Sequence, residues 1–412
     1  MNTSKLIKEK LCSHPTVWSA WDEEIVDLPF PDQWTVTDYC LQARPALDHN
    51  RITEIVAAGF NQRQAELKQA RTACVLVDDL TRPTCWTRVL DVVHRQLNAS
   101  GIPDHAITLL VSLAGHAPMS EVDLQKKIGE AVLHRVKVVQ HSQEAPFAWL
   151  EYQGHQTGLN QLYVQADFRI ALGTIIPHPF AGFSGGGKAV MPGIADLASI
   201  KRNHFLVGFG RGRTADPVNS IRQQMDAIAE LSNLHLSINA VCNGNREIIA
   251  LYAGSLPVSF TQGVDFARQY YASQVRKDHS VLVLNAYPKD QEVVQLGNAL
   301  NVVRTLPDNA ASSLRAIVLV ARLKTGIGSH AIFGPGGLLY RQPAPLPILK
   351  GRELLFFTPY CDSSAVHTMF ASDYAVCNTW QAVLDRLAEI EPGGHNVGLF
   401  HQASMQIGRD SG

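Results

Sequence analysis

The stretch that decides the fold opens with Thr72-Ala-Cys-Val-Leu-Val-Asp78 and closes with Val136-Lys-Val-Val-Gln140. The first segment is a short apolar run with an acidic end, and Trp86, Val89, Leu90, Val93 and Leu97 follow it at helical spacing. Gly101-Ile-Pro103 breaks that helix. Ala106 to Leu113 reads as a second buried strand, Ser120 to Leu133 as a second helix opened by a Ser120/Asp123 capping signature, and Val136 to Gln140 as a third strand. Strand, helix, strand, helix, strand in this order predicts a parallel sheet covered on both faces.

The same grammar extends outward. Phe168 to Leu172 is a strand that runs into a glycine-rich loop, with a helix beginning near Ile194. The chain turns polar over Ser273 to Asp278, and a fresh alternation then starts. Its parts are strand Ser280 to Asn285, helix Glu292 to Val303, strands Ala316 to Ala321 and Glu353 to Thr358, and helix Trp380 to Ile390. The fold class expected is α/β: two α/β domains with mostly parallel sheets and an active-site cleft between them. The boundaries expected are 1–273 for a catalytic and cofactor-binding domain and 274–395 for a second α/β domain, with 396–412 packing back onto the first because chain ends often meet.

Composition narrows the function classes. The 412 residues carry 36 basic and 37 acidic side chains, a formal charge of -1, with no basic run to track a phosphate backbone, which argues against nucleic acid and membrane surfaces. No apolar stretch approaches the ~20 residues of a spanning helix. The polar start MNTSKLIKEKLC lacks the apolar core of a secretory signal, so a cytoplasmic location is expected. Seven cysteines, an odd and scattered set with no CxxC pair, form neither a disulfide framework nor a zinc ribbon. The sixteen histidines stand out, and position alone can promote any of them to a function.

Five motifs sit where strands hand over to helices. Asp78-Asp79-Leu-Thr81-Arg82-Pro-Thr84 offers hydroxyls and a guanidinium fork suited to a carboxylate or phosphate, though a capping loop with a surface arginine reads equally well. Gly115-His116-Ala-Pro-Met119 places a histidine, a general acid or base near neutral pH, at the equivalent point after the next strand. The most specific is Pro177-His178-Pro-Phe-Ala181-Gly-Phe-Ser-Gly185-Gly186-Gly187-Lys188-Ala-Val-Met191-Pro-Gly193. Its glycines allow close backbone approach to a ligand, and successive amides can form an anion nest. It is no Walker loop, because Ala189 stands where the magnesium-binding hydroxyl belongs, which leaves Lys188 for another role. His204 lies sixteen residues further on and is either a helix histidine or a metal ligand. In the second half, Pro288 to Leu300 puts Gln295 and Asn298 three residues apart on one helix face, and Gly326-Ile-Gly-Ser-His330 follows a strand.

Taken in this order, the DDLTRPT, GH.PM and PHPFAGFSGGGKAVMPG segments resemble the lactate racemase family, the nickel-pincer-nucleotide-dependent 2-hydroxyacid racemases and epimerases. The resemblance spans about Ala73 to Ser329. It implies a cofactor, pyridinium-3,5-bisthiocarboxylic acid mononucleotide, linked covalently to Lys188. It also implies nickel bound by that cofactor and His204, with His116 and His178 as paired acid and base. Asp79, Thr81, Arg82, Gly185 and Gly186 would lie at the cofactor, and Arg82, Gln295 and Asn298 at the substrate. The partners implied are a small 2-hydroxy acid and the cofactor-synthesis enzymes; a homo-oligomer is allowed. One position departs from the pattern, because Asn298 stands where the lactate racemases carry a substrate-holding lysine. The substrate expected is therefore a hydroxyl-rich aldonic acid rather than lactate, with malate-like and aromatic 2-hydroxy acids as alternatives. A non-catalytic carrier of the nucleotide and a zinc hydrolase built on His116, His178 and His204 are competing readings; the zinc spacing fits no known signature.

Overall fold

A computed structural model describes residues 16–19, 24–206, 213–216, 218–307, 312–349, 351–371 and 374–410. Two compact units result. One is Ala43–Gln269; the other joins the described residues up to Gln42 to those from Tyr270 onwards. Among the described residues each unit is built on a six-stranded sheet, and no helix is long and apolar enough to cross a membrane.

In the Ala43–Gln269 unit the sheet runs Ile248–Gly254, Leu236–Cys242, Phe168–Thr174, Ala73–Asp78, Ile107–Ser112, Lys137–Gln140. All neighbours are parallel except the outermost pair, Leu236–Cys242 with Ile248–Gly254. Counted along the chain, the strand order is 3-2-1-4-5-6, so the winding reverses between Ala73–Asp78 and Phe168–Thr174. Outside the carboxyl ends of those two strands lies the crevice in which doubly wound folds bind their ligands. Val75, Val77, Leu109, Val111, Ile170, Leu172 and Ile238 form one continuous core under this sheet, with Trp86 and helix Thr87–Ala99 packed against it.

The other unit has an all-parallel sheet in the order Tyr374–Cys377, Glu353–Phe357, Ala316–Val320, Val281–Asn285, Asn396–Phe400, Thr35–Tyr39. Its unbroken apolar strands follow from burial on both faces. Leu282, Leu284, Ile317 and Leu319 join one core and Val281, Val283, Val318 and Leu399 the other, the alternation that a pleated strand imposes.

The structure corrects three expectations. The boundary falls at Gln269/Tyr270 rather than 273/274, and the described residues up to Gln42 belong with the second half through strand Thr35–Tyr39. The described part of 396–412 belongs to that same unit rather than to the first domain: Asn396–Phe400 is an inner strand of the second sheet, and Ile407–Asp410 pairs with Ala272–Val275. The expected helix Ser120 to Leu133 is interrupted at Gly129, whose φ of +89° no helix tolerates, into Glu121–Ile128 and Glu130–Leu133. Its capping box at Ser120 and Asp123 is present. No disulfide joins the described cysteines, and burial pushes the Cys74 and Cys242 thiols up to about 12, which makes them inert core residues.

Candidate active site

Strand Ala73–Asp78 ends in two aspartates pointing to different tasks. Asp78 Oδ1 accepts from Lys127 Nζ at 2.6 Å and Trp86 Nε1 at 2.8 Å, while Oδ2 accepts from the Thr174 amide at 2.7 Å, so this carboxylate ties adjacent strand ends together. Lys127 is fully buried and also donates to the Arg82 carbonyl at 3.0 Å, fixing the loop that follows. Asp79 faces the site. Its Oδ1 accepts from the Thr81 amide at 3.0 Å and hydroxyl at 2.5 Å, and its Oδ2 lies 2.5 Å from His116 Nδ1. Arg82 Nη1 donates to the Thr81 hydroxyl at 2.7 Å, completing a chain from guanidinium to imidazole. Burial opposes ionisation of Asp79, but the charge and hydrogen bond of His116, with Arg82 and Thr81, outweigh it and hold the carboxyl well below the usual range. An ionised Asp79 fixes the His116 proton on Nδ1 and leaves Nε2 as the basic nitrogen.

Lys188 lies in the single turn Gly186–Ala189. Desolvation, reinforced by the nearby positive charges of Arg82 and Arg222 and only partly offset by Asp79, holds its amine well below the ordinary lysine range. Such surroundings favour the neutral, nucleophilic form of a lysine amine. His204, on helix Leu197–Phe205, donates Nδ1–H to the Ile200 carbonyl at 3.1 Å, which places its lone pair on Nε2. Burial is the main cause that lowers His204 to about 3, so the ring stays neutral, the form in which imidazole ligates metals. Asp79, Thr81, Arg82, His116, Lys188 and His204 are thus drawn into one electrostatic neighbourhood at the switch point. His178 joins it through Phe180, whose ring packs edge-on to both His178 and His204, with centroids 5.8 and 6.4 Å away.

The glycine-rich loop departs from the anion-nest expectation. The Gly186 amide donates to Asn239 Oδ1 at 2.8 Å and the Gly187 amide to Asp226 Oδ1 at 3.2 Å, so both are committed inside the protein. The glycines serve close packing. A Cβ on Gly173 would stand 2.8 Å from the Gly185 Cα, and one on Gly193 would stand 2.1 Å from the Ala189 carbonyl oxygen. The residue that holds this loop was absent from the sequence reading. Arg222, buried on helix Ser220–Leu231, donates to the carbonyls of Ala181, Phe183 and Gly185 and to Asp226, and lies over the Phe260 ring at 4.3 Å. Its place in IRQQMDAIAEL resembles any helix surface arginine; a signal exists only in the Asp226 four residues on. Arg222→Ala is expected to cost about 3 kcal/mol of unfolding free energy, the low end for a broken buried pair, because burial raises the Asp226 carboxyl and lets it take a proton. Urea unfolding of the apoprotein measures this, and a loss under 1 kcal/mol would contradict it.

In the other unit the expected helix Glu292 to Val303 is broken into Val293–Leu296, the turn Gly297–Leu300 and Asn301–Arg304. Gln295 and Asn298 do meet: Asn298 Nδ2 donates to the Gln295 carbonyl at 2.7 Å, while its own Oδ1 is buried without a hydrogen-bond partner. Lys289, a residue given no role from the sequence, is buried beside them and donates to Gln295 Oε1 at 3.2 Å. These groups follow strand Val281–Asn285, where this second sheet also reverses its winding. His330 is occupied locally, its Nδ1 accepting from the Ile332 and Phe333 amides. Among the described residues no group of three or more metal-ligating side chains is assembled, so the zinc triad of His116, His178 and His204 does not form there.

Known proteins agree with this architecture. Residues 21–214 match the lactate racemase N-terminal domain. The lactate racemase of Lactiplantibacillus plantarum is 26% identical over 332 residues, covering 75% of this chain and 77% of that protein. The lactate racemase of Thermoanaerobacterium thermosaccharolyticum is 25% identical over 287 residues, covering 67% and 65%. The structure of a lactate racemase apoprotein from the latter organism superposes with a TM-score of 0.70 at 19% identity, over 96% of this chain and 100% of that one. A Thermotoga maritima protein gives 0.66 at 15% identity, over 89% and 100%. With the doubly wound fold and the ordered motifs all in place, the chain carries the lactate racemase N-terminal domain over residues 21–214, is similar to lactate racemases over most of its length, and is an isomerase of the racemase type.

Proposed function

We propose that this protein racemises or epimerises a 2-hydroxy acid by reversible hydride transfer at carbon 2, with a nickel-pincer nucleotide tethered to Lys188. The observation that carries the reading is the convergence, at one switch point, of a buried lysine amine held well below the ordinary range, a neutral histidine with its lone pair on Nε2, and a His116–Asp79 pair. These residues fit the group: Lys188 offers the nucleophile for its covalent attachment and His204 Nε2 one ligand for nickel. When bound, the nickel nucleotide supplies the acceptor for hydride from carbon 2.

The protein's own share is proton handling and orientation. His116 Nε2 takes the hydroxyl proton as hydride leaves, and Asp79 stabilises the imidazolium that forms. Loss of the carbon-2 hydride would leave a planar 2-keto acid, and the centre would invert if that acid turned its other face before hydride and proton were returned. His178 is the second polar contact to the substrate oxygens, and Arg82 the cation for its carboxylate. A mere carrier of the nucleotide has no use for the His116–Asp79 pair, which favours catalysis.

For the substrate we favour a hydroxyl-rich aldonic acid, because Asn298 stands where the lactate racemases carry a substrate-holding lysine, and an amide, unlike an ammonium, can both donate to and accept from hydroxyls. The buried Lys289 ammonium at Gln295 favours a second reading, a malate-like acid with an additional carboxylate. The protein made with the cofactor-synthesis enzymes and assayed on aldonic acids, malate and lactate is expected to prefer the aldonic acids by at least tenfold in kcat/KM. A preference for malate would install the second reading, and a preference for lactate would overturn both.

A further inference from the structure

The base and the cofactor-side residues sit on different stretches of chain. His116 lies on the loop after strand Ile107–Ser112, whereas Lys188 and His204 lie on the stretch that runs from the turn Gly186–Ala189 into helix Leu197–Phe205. Two ties join these stretches directly. Ser112 Oγ donates to the Ala189 carbonyl at 2.9 Å, and the Ala114 amide donates to the Gly193 carbonyl at 2.8 Å. A third comes from Gln143, which follows strand Lys137–Gln140 and was given no role from the sequence. Its Oε1 accepts from the Leu197 amide at 2.8 Å, in the first turn of the helix that carries His204. Its Nε2 donates to the carbonyls of Ala195 at 3.0 Å and Ala114 at 3.3 Å. Both protons of the amide nitrogen are thereby used, and the Ala114 carbonyl stands two residues ahead of His116.

The surroundings hold Gln143 in this role. His141 Nδ1 accepts from Asn160 Nδ2 at 3.3 Å, so its Nε2–H is directed to the Ala195 carbonyl at 3.2 Å. That oxygen has two lone pairs, one for each donor, and their common target accounts for the 3.1 Å between the two nitrogens. Burial pushes His141 down to about 4, so the ring stays neutral. On the other side Ala114 has a φ of +52°, a left-handed conformation that a non-glycine residue keeps only where its neighbours over-determine it. Gly193 holds its amide and Gln143 its carbonyl. In the proposed chemistry, hydride and proton leave adjacent atoms of one substrate molecule, so the base must stand at a set distance from the cofactor; a misplacement of about 1 Å costs ~10²-fold in rate. We propose that Gln143 is a positioning residue, which fixes His116 relative to Lys188 and His204 and itself takes no part in the proton transfer. This inference rests on the proposed 2-hydroxy acid reaction.

Two measurements test it. Gln143→Met keeps the side-chain length and removes all three hydrogen bonds, whereas Gln143→Glu keeps an acceptor for Leu197 but loses the donors to both carbonyls. In the apoprotein, hydrogen exchange at the Leu197 amide is expected to speed up at least tenfold in Gln143→Met and to stay near wild type in Gln143→Glu. Unchanged exchange in Gln143→Met overturns the brace itself. In the loaded enzyme both variants are expected to lose about a hundredfold in kcat, with KM within threefold and the Lys188 adduct formed as in the wild type. Because Asp79→Asn already removes His116 as a base, adding Gln143→Met to it is expected to lower kcat by less than threefold. A kcat within tenfold of wild type in Gln143→Met, or losses that multiply in the double variant, would overturn the proposal. So would failure of both variants to fold or to take up the adduct, which would make Gln143 a brace of the fold alone. A loaded wild-type chain that turns over no 2-hydroxy acid would instead overturn the functional reading, and exchange at Leu197 would still decide the brace.

Discussion

Chain produced alongside the cofactor-synthesis enzymes is expected to carry a covalent adduct that Lys188→Ala removes entirely, with racemisation falling below detection. Forming the link needs a nitrogen lone pair, and desolvation, helped by the charges of Arg82 and Arg222, lowers the Lys188 pKa well below the ordinary lysine range and so favours the form that offers one. Lys188→Arg is the informative control. It keeps a long basic side chain, but a guanidinium stays protonated and is no nucleophile, so it too should show only the mass of the bare chain. Neither loss should come from unfolding. Removing a desolvated amine from beside two guanidiniums relieves a cost, so the Lys188→Ala apoprotein should melt at or above the wild-type temperature. Intact mass spectrometry with a thermal melt separates these effects. An adduct that survives in Lys188→Ala would move the attachment point elsewhere and remove the main support for the proposed chemistry.

The second large effect is expected at Asp79. Asp79→Asn keeps the shape and the Thr81 contacts but replaces an acceptor-only carboxylate with an amide that can donate to His116 Nδ1. The His116 proton then moves to Nε2, and the ring turns from base to donor. It also loses the anionic partner that stabilises its imidazolium. Together these should lower kcat by about 10²–10⁴ while the Lys188 adduct forms as in the wild type. Steady-state kinetics on adduct-normalised protein checks this. A kcat within tenfold of wild type would show that His116 does not rely on Asp79.

Particular residues show what was legible beforehand. The strands Ala73–Asp78, Ile107–Ser112 and Val281–Asn285 announce themselves because burial on both faces demands unbroken apolar runs. Thr35–Tyr39, TVTDY, does not, because an edge strand can keep polar side chains and looks like a loop. The apolar run in Asn396–Phe400 is only four residues long, too short to declare which sheet it enters; its partner strand, far away in sequence, decides that.

The site divides in the same way. By itself the sequence determined the α/β class, the strand-to-helix handovers carrying Asp79, His116, His178 and Lys188, and the likeness to the lactate racemases, because spacing and residue type are local properties. Tertiary structure alone decided that Arg222 clamps the glycine-rich loop, that Lys127 braces Asp78, that the Gly186 and Gly187 amides are spent internally, and that His116 turns its Nδ1 to Asp79. The physical reason is that a buried charge or an imidazole tautomer is defined by its partners. For Arg222, Lys127 and His116 those partners arrive from loops and strands 37 to 49 residues away, a distance over which sequence periodicity carries no information.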